Sequence, residues 1–155
     1  MNTTTSVLAA LALAALAHLP ARADDHGRAI VLPPAYVQEC GACHAPYPPG
    51  LLPNESWQRL MANLPTHFGT DASLDAPTQK ALSTWLTATA GSGKRARVAP
   101  PEDRITRGDW FIREHREVPK AAWTRASIKS AANCGACHDG AAQGMYDEDS
   151  VHIPR

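Results

Sequence analysis

Apolar residues recur at helical spacing in two stretches of the chain, and no stretch alternates as a strand would. Trp57, Leu60, Met61 and Leu64 stand at i, i+3, i+4 and i+7. They line one face of a helix that Asn54 can cap and Pro65 ends. Thr66-His67-Phe68-Gly69 reads as a turn. A second helix is predicted to start near Asp75 and Pro77, to turn Leu82, Trp85, Leu86 and Thr89 inward, and to stop at Gly91-Ser92-Gly93. Upstream, Asp24 to Gln38 reads as an extended lead-in, because Pro33-Pro34 opposes helix. Gly91 to Arg104, with its Gly, Ser and Pro100-Pro101, reads as a surface linker. Thr106 and Asp109 then have the spacing of a capping box with Asp in place of Glu. The helix they open carries Trp110, Phe111 and His115 and closes at Pro119. A segment around Trp123 and Ile128 leads to a glycine-rich, acidic tail without periodicity. The expected fold class is mainly α, with short helices and long loops.

The first residues change this picture. Val7 to Leu19 is an alanine- and leucine-rich run followed by Ala21-Arg22-Ala23, the small-x-small form that signal peptidases accept. The run is too short and too small-sided to span a bilayer. Residues 1–23 are therefore expected to be an export signal, cut after Ala23, although Met1 to Ser6 lacks the usual Lys or Arg. The expected mature chain is 24–155, a single domain in the periplasm and not membrane-spanning.

Charge excludes one class of partner. The chain has 15 basic and 15 acidic residues, which argues against nucleic acid. The distribution is uneven: Lys94 to Ser130 has ten basic residues against five acidic, with acidic excess on both sides. Such a basic middle can steer a protein partner or simply be a solvated face. Aromatic residues make up only 6% of the chain, so the side-chain core looks underfilled for a domain of this size.

The cysteines supply the missing bulk. In an exported chain, four cysteines would first suggest two disulfides. Here the pentapeptide Cys-Gly-Ala-Cys-His occurs twice, at 40–44 and 134–138. A lone Cys-x-x-Cys could be a redox dithiol or half a zinc site. Neither explains a histidine directly after both pairs. The Cys-x-x-Cys-His pattern is that of covalent c-type haem, with two thioethers from the cysteines and a proximal iron ligand from the histidine. Cys40, Cys43, Cys134 and Cys137 are thus the expected attachment points, and His44 and His138 the expected proximal ligands. The chain divides accordingly into a first haem segment (24–93), a linker (91–104) and a second haem segment (105–155). Gly41 and Gly135 fit the tight motif loops, and the five prolines from Pro33 to Pro49 brace the first.

Each iron has a sixth position to account for. His67 lies 23 residues after His44, and His115 lies 23 residues before His138. Each is in or beside an aromatic segment, and imidazole binds iron well. Both are candidate distal ligands. Nearness along the chain favours His67 with His44 and His115 with His138, although chain length also permits the crossed arrangement. His26 and His152, in the lead-in and tail, read as solvated surface. Met61 reads as core, while Met145 is a candidate thioether ligand. Trp57, Trp85, Trp110 and Trp123 either pack on porphyrin faces or fill ordinary core.

At this point the chain resembles a family of small periplasmic dihaem cytochromes c. The matching runs are Glu39 to His44, Ala45 to Pro53, His67 to Leu74, Trp110 to His115, Lys129 to His138 and the closing Ile153-Pro154-Arg155. The resemblance implies a small cytochrome-c-type fold wrapped around two covalent haem c groups. It also implies histidine on both sides of each iron, with His67 and His115 distal. The implied function is electron transfer to an oxygen-binding monohaem cytochrome c (sphaeroides haem protein), with a membrane cytochrome b as electron source. No catalytic signature accompanies the haem motifs. The alternative is a gas-binding or peroxidase-like haem protein with one open coordination site.

Overall fold

The computed structural model describes residues 31–155. The expected export segment and His26 lie outside these residues. Four α-helices are present among them: α1 (Pro34–Cys40), α2 (Asn54–Ala62), α3 (Ala76–Ala88) and α4 (Asp109–Glu114). Short 3-10 turns and loops join them, and two isolated bridges replace any sheet. The architecture is mainly helical, as the patterning predicts.

The amphipathic faces of α2 and α3 meet. Trp57, Met61 and Leu64 bury against Leu82 and Leu86, all at most 7% exposed. Asp75 caps α3 by accepting from Thr78 N at 3.0 Å. Asn54 does not cap α2. It is the first residue of that helix after Pro53, and its Nδ2 donates to Thr87 O at 2.8 Å, tying the start of α2 to the end of α3. Trp57 Nε1 donates to Pro49 O at 2.8 Å, so the largest core side chain leaves no buried donor unpaired.

The lead-in is helical rather than extended. Pro34 sits at the first position of α1, where its missing N–H costs nothing, and Val37 N donates to Pro33 O at 3.1 Å. The two prolines therefore start a helix instead of blocking one. Tyr36 from α1 is 2% exposed, and its ring lies 4.9 Å from that of Trp85 on α3.

The capping box at Thr106 and Asp109 does not form. Thr106 falls in a 3-10 turn (Ile105–Arg107), and Gly108 precedes α4 without a side-chain cap. The helix is short and ends at Glu114, ahead of Pro119. The stretch read as a surface linker is mostly exposed but anchored at two points: Ala96 is 3% exposed, and Pro101–Asp103 forms a turn that lies against α2. Gly91 permits the approach, since a Cβ there would stand 2.3 Å from Gly50 O. Among the described residues, no helix is long and apolar enough to cross a membrane.

Candidate functional site

The first motif grows directly out of α1. Cys40 is its last residue, and Gly41 N closes the helix on Val37 O at 3.0 Å. A Cβ at Gly41 would stand 2.3 Å from that carbonyl, so the tight loop needs glycine there. The second motif is a 3-10 turn, Cys134–Ala136, in which His138 N and Cys137 N both donate to Cys134 O. Gly135 meets nothing within 4 Å, so that loop has no steric need for glycine. The C-terminal tail folds back onto this motif. His152 N donates to Cys137 O at 3.0 Å, and Arg125 donates to Pro154 O at 2.7 Å.

The four cysteines are unpaired. Burial pushes the Cys40 thiol up to about 11 and also raises Cys134 and Cys137. These three thiols lack the depressed pKa on which a reactive redox cysteine depends. Among the described residues, no three His, Cys, Asp or Glu side chains gather to hold a bare metal ion.

The histidines form two pairs, and neighbours in sequence are neighbours in space. The ring centres of His44 and His67 lie 6.3 Å apart, with planes 27° from parallel. Those of His115 and His138 lie 6.2 Å apart, with planes at 73°. Two imidazoles on opposite sides of one iron, each nitrogen about 2 Å from the metal, have ring centres roughly 6 Å apart. Both pairs therefore fit a haem iron between them.

Hydrogen bonds set the tautomers of two of these rings. His44 Nδ1 lies 2.7 Å from Ala45 O, and His115 Nδ1 lies 2.9 Å from Phe111 O. A carbonyl only accepts, so Nδ1 carries a proton and Nε2 is the ring nitrogen turned away from that bond and open to a metal. His67 Nδ1 and His138 Nδ1 are buried without a partner. Burial lowers the pKa of both rings, with smaller contributions from His44 and Arg104 at His67 and from His115 at His138. Burial thus favours the neutral form of both rings, the form that binds metal.

Aromatic side chains enclose the pairs. Tyr47 stacks on His44 at 4.8 Å, and Phe68 tilts against His67 at 4.8 Å. Phe111 stacks on His115 at 3.9 Å, and Trp123 stands 5.8 Å from the same ring. Tyr146 meets His138 edge-on at 5.4 Å. Of the four tryptophans, Trp123 thus lies nearest a candidate ligand, Trp57 is core, Trp85 lies against Tyr36, and Trp110 lies under Arg95. Met61 is core at 5% exposure. Met145 is 42% exposed, with its side chain against Gly140. The His152 side chain is 60% exposed beside Asp139.

Tyr47 carries more than the rigid loop in which the sequence placed it. Its hydroxyl donates to Ala132 O at 2.9 Å, and its backbone carbonyl accepts from Tyr36 at 2.7 Å. It is a direct bonded contact between the two motif loops. A tyrosine set among prolines marks a stiff turn but does not reveal a partner 85 positions away.

A family profile for dihaem cytochrome c matches residues 36–146. No curated protein matches the sequence. Three solved structures resemble about three quarters of the chain. A diheme cytochrome c of Shewanella baltica is 36% identical, with a TM-score of 0.69 over 79% of this chain and 95% of that one. A diheme cytochrome c of Rhodobacter sphaeroides is 41% identical, with a TM-score of 0.67 over 76% and 98%. A second structure from that organism gives 42% and 0.65 over 76% and 99%.

Proposed function

Because this chain belongs to the dihaem cytochrome c family and carries two haem c groups, we propose that it is a periplasmic electron carrier with both irons closed by histidine. Cys40 and Cys43 hold the first haem by thioethers, with His44 proximal and His67 distal. Cys134 and Cys137 hold the second, with His138 proximal and His115 distal. The observation that carries this reading is the pair of imidazole separations, 6.3 and 6.2 Å. The haems supply a one-electron iron couple.

The protein's own part follows from the geometry. His44, His67, His115 and His138 would hold the two irons through their ring nitrogens, which would leave no position for substrate or gas. Nitrogen ligation without thioether keeps the reduction potentials low. The carbonyls of Ala45 and Phe111 orient His44 and His115 and raise their basicity. The acceptor is an oxygen-binding monohaem cytochrome c, and the donor is a membrane cytochrome b. The basic stretch from Lys94 to Ser130 supplies the field that steers such partners. Export follows from the leader at 1–23.

Electron paramagnetic resonance of the oxidised holoprotein tests the ligation. Near-parallel imidazole planes split the iron orbitals more than crossed planes do. The expected spectrum holds two unlike low-spin signals, a rhombic one from the first haem and a strongly anisotropic one from the second. A stoichiometric high-spin signal would mean an open iron, and the gas-binding or peroxidase-like alternative would then replace the carrier.

A further inference from the structure

The two candidate distal histidines are held by different means. His115 ends α4, bonds to its own helix through Nδ1 and lies under Phe111. His67 has no helix and no partner at Nδ1. It sits in a tight turn whose backbone bonds are His67 N to Leu64 O and Thr70 N to His67 O. The next residue, Phe68, has a left-handed backbone (φ 49°) and is 43% exposed. Such a conformation is unfavourable for a bulky side chain and persists only where its surroundings impose it.

The surroundings are the strap Pro100–Arg104. Arg104 places its guanidinium carbon 4.2 Å from the Phe68 ring centre. Asp103, its neighbour, takes a two-pronged contact from Arg59 on α2, at 2.8 and 2.6 Å, with the carboxylate side chain 12% exposed. Glu102 pairs with both Arg104 and Arg107. Glu102 and Asp103 are also left-handed, each at φ 57°. Three non-glycine residues in this conformation thus lie along one cleft, which Arg59, His67, Phe68, Glu102 and Asp103 line together.

We propose that Asp103 and Arg104 are positioning residues for His67: Arg59 anchors the strap through Asp103, Arg104 caps Phe68, and Phe68 holds the imidazole toward the first iron. The proposal rests on His67 being the distal ligand of that haem. The strap does for His67 what α4 does for His115. Beyond Arg104 the chain runs through Ile105, which is 9% exposed, into α4 itself. The segment that leads to the second distal ligand thus secures the first.

Carbon monoxide binding to the reduced holoprotein tests this, with the responding haem assigned by comparison with His67→Ala. Wild type takes up essentially none. Arg104→Ala and Asp103→Asn should each raise carbon monoxide association at the first haem about tenfold or more, as loss of a cation–π contact or a charged pair allows. The second haem should be unaffected. Arg104→Lys should restore part of the effect, and the swapped pair Arg59→Asp with Asp103→Arg should restore more than either single change. If Asp103→Asn fails to accumulate, Arg104→Ala carries the test, because it removes a side chain already 40% exposed. Unchanged association in these variants would overturn the proposal, as would an equal response at both haems, which means general loosening. Stoichiometric uptake by wild type would instead overturn the ligation on which the proposal rests.

Discussion

Residues 34–88 hold α1, α2 and α3 and most of the buried apolar side chains, whereas residues 105–155 hold the six-residue α4 and a run of short 3-10 turns. The first half buries Tyr36, Leu52, Trp57, Met61, Leu64, Leu82 and Leu86 in one cluster. The second contributes Ile105 and Phe111 to that cluster and otherwise buries Ala122, Ile128 and Ala141. Short helices and 3-10 turns do not persist without packing. The first half therefore has a side-chain body to which a haem is added, while the second is organised around its haem.

The largest consequence concerns the chain without haem. Hydrogen exchange should find the amides of α4 and of Cys134–Gln143 unprotected, while those of α2 and α3 keep at least about tenfold protection. Equal loss in both halves would break the comparison. Next in size are two aromatic truncations, each expected to cost about 3–5 kcal/mol in thermal or denaturant unfolding. Phe111→Ala removes the ring stacked on His115 and should also turn the second haem partly high spin. Trp57→Ala should leave both haems low spin, because Trp57 packs in the body and contacts no candidate ligand. A smaller effect is expected where the halves meet. Tyr47→Phe removes the bond to Ala132 and should cost about 1 kcal/mol, separating the unfolding of the two halves in calorimetry. The smallest is His152→Ala, within about 0.5 kcal/mol and without spectral change, since its side chain is exposed and its contact with Asp139 is long, at 3.6 Å.

Legibility followed the same division. The faces of α2 and α3 could be read because burial of Trp57, Met61, Leu64, Leu82 and Leu86 repeats at helical spacing. The start of α3 could be read because Asp75 caps by a local bond. The paired motifs named their chemistry outright, because covalent attachment fixes the spacing of the sulfurs. Helix α1 was hidden by its prolines, whose effect reverses between the interior of a helix and its first turn. The second half offered little to read, since its turns answer to contacts across the chain rather than to periodicity. The strap looked like a linker because polarity is the same for a loose loop and for one anchored by Arg59. The pairing of Asp103 with a residue 44 positions away has no local signature.

The central claim is that each iron is closed by two histidines, and carbon monoxide titration of the reduced wild-type holoprotein tests it most directly. Both haems should keep their low-spin spectra at saturating gas. His67→Ala should then open one haem and His115→Ala the other, each taking up one equivalent. Uptake of one equivalent by wild type would contradict the account, because it would place His67 or His115 away from its iron and leave a site for chemistry where electron transfer alone is claimed.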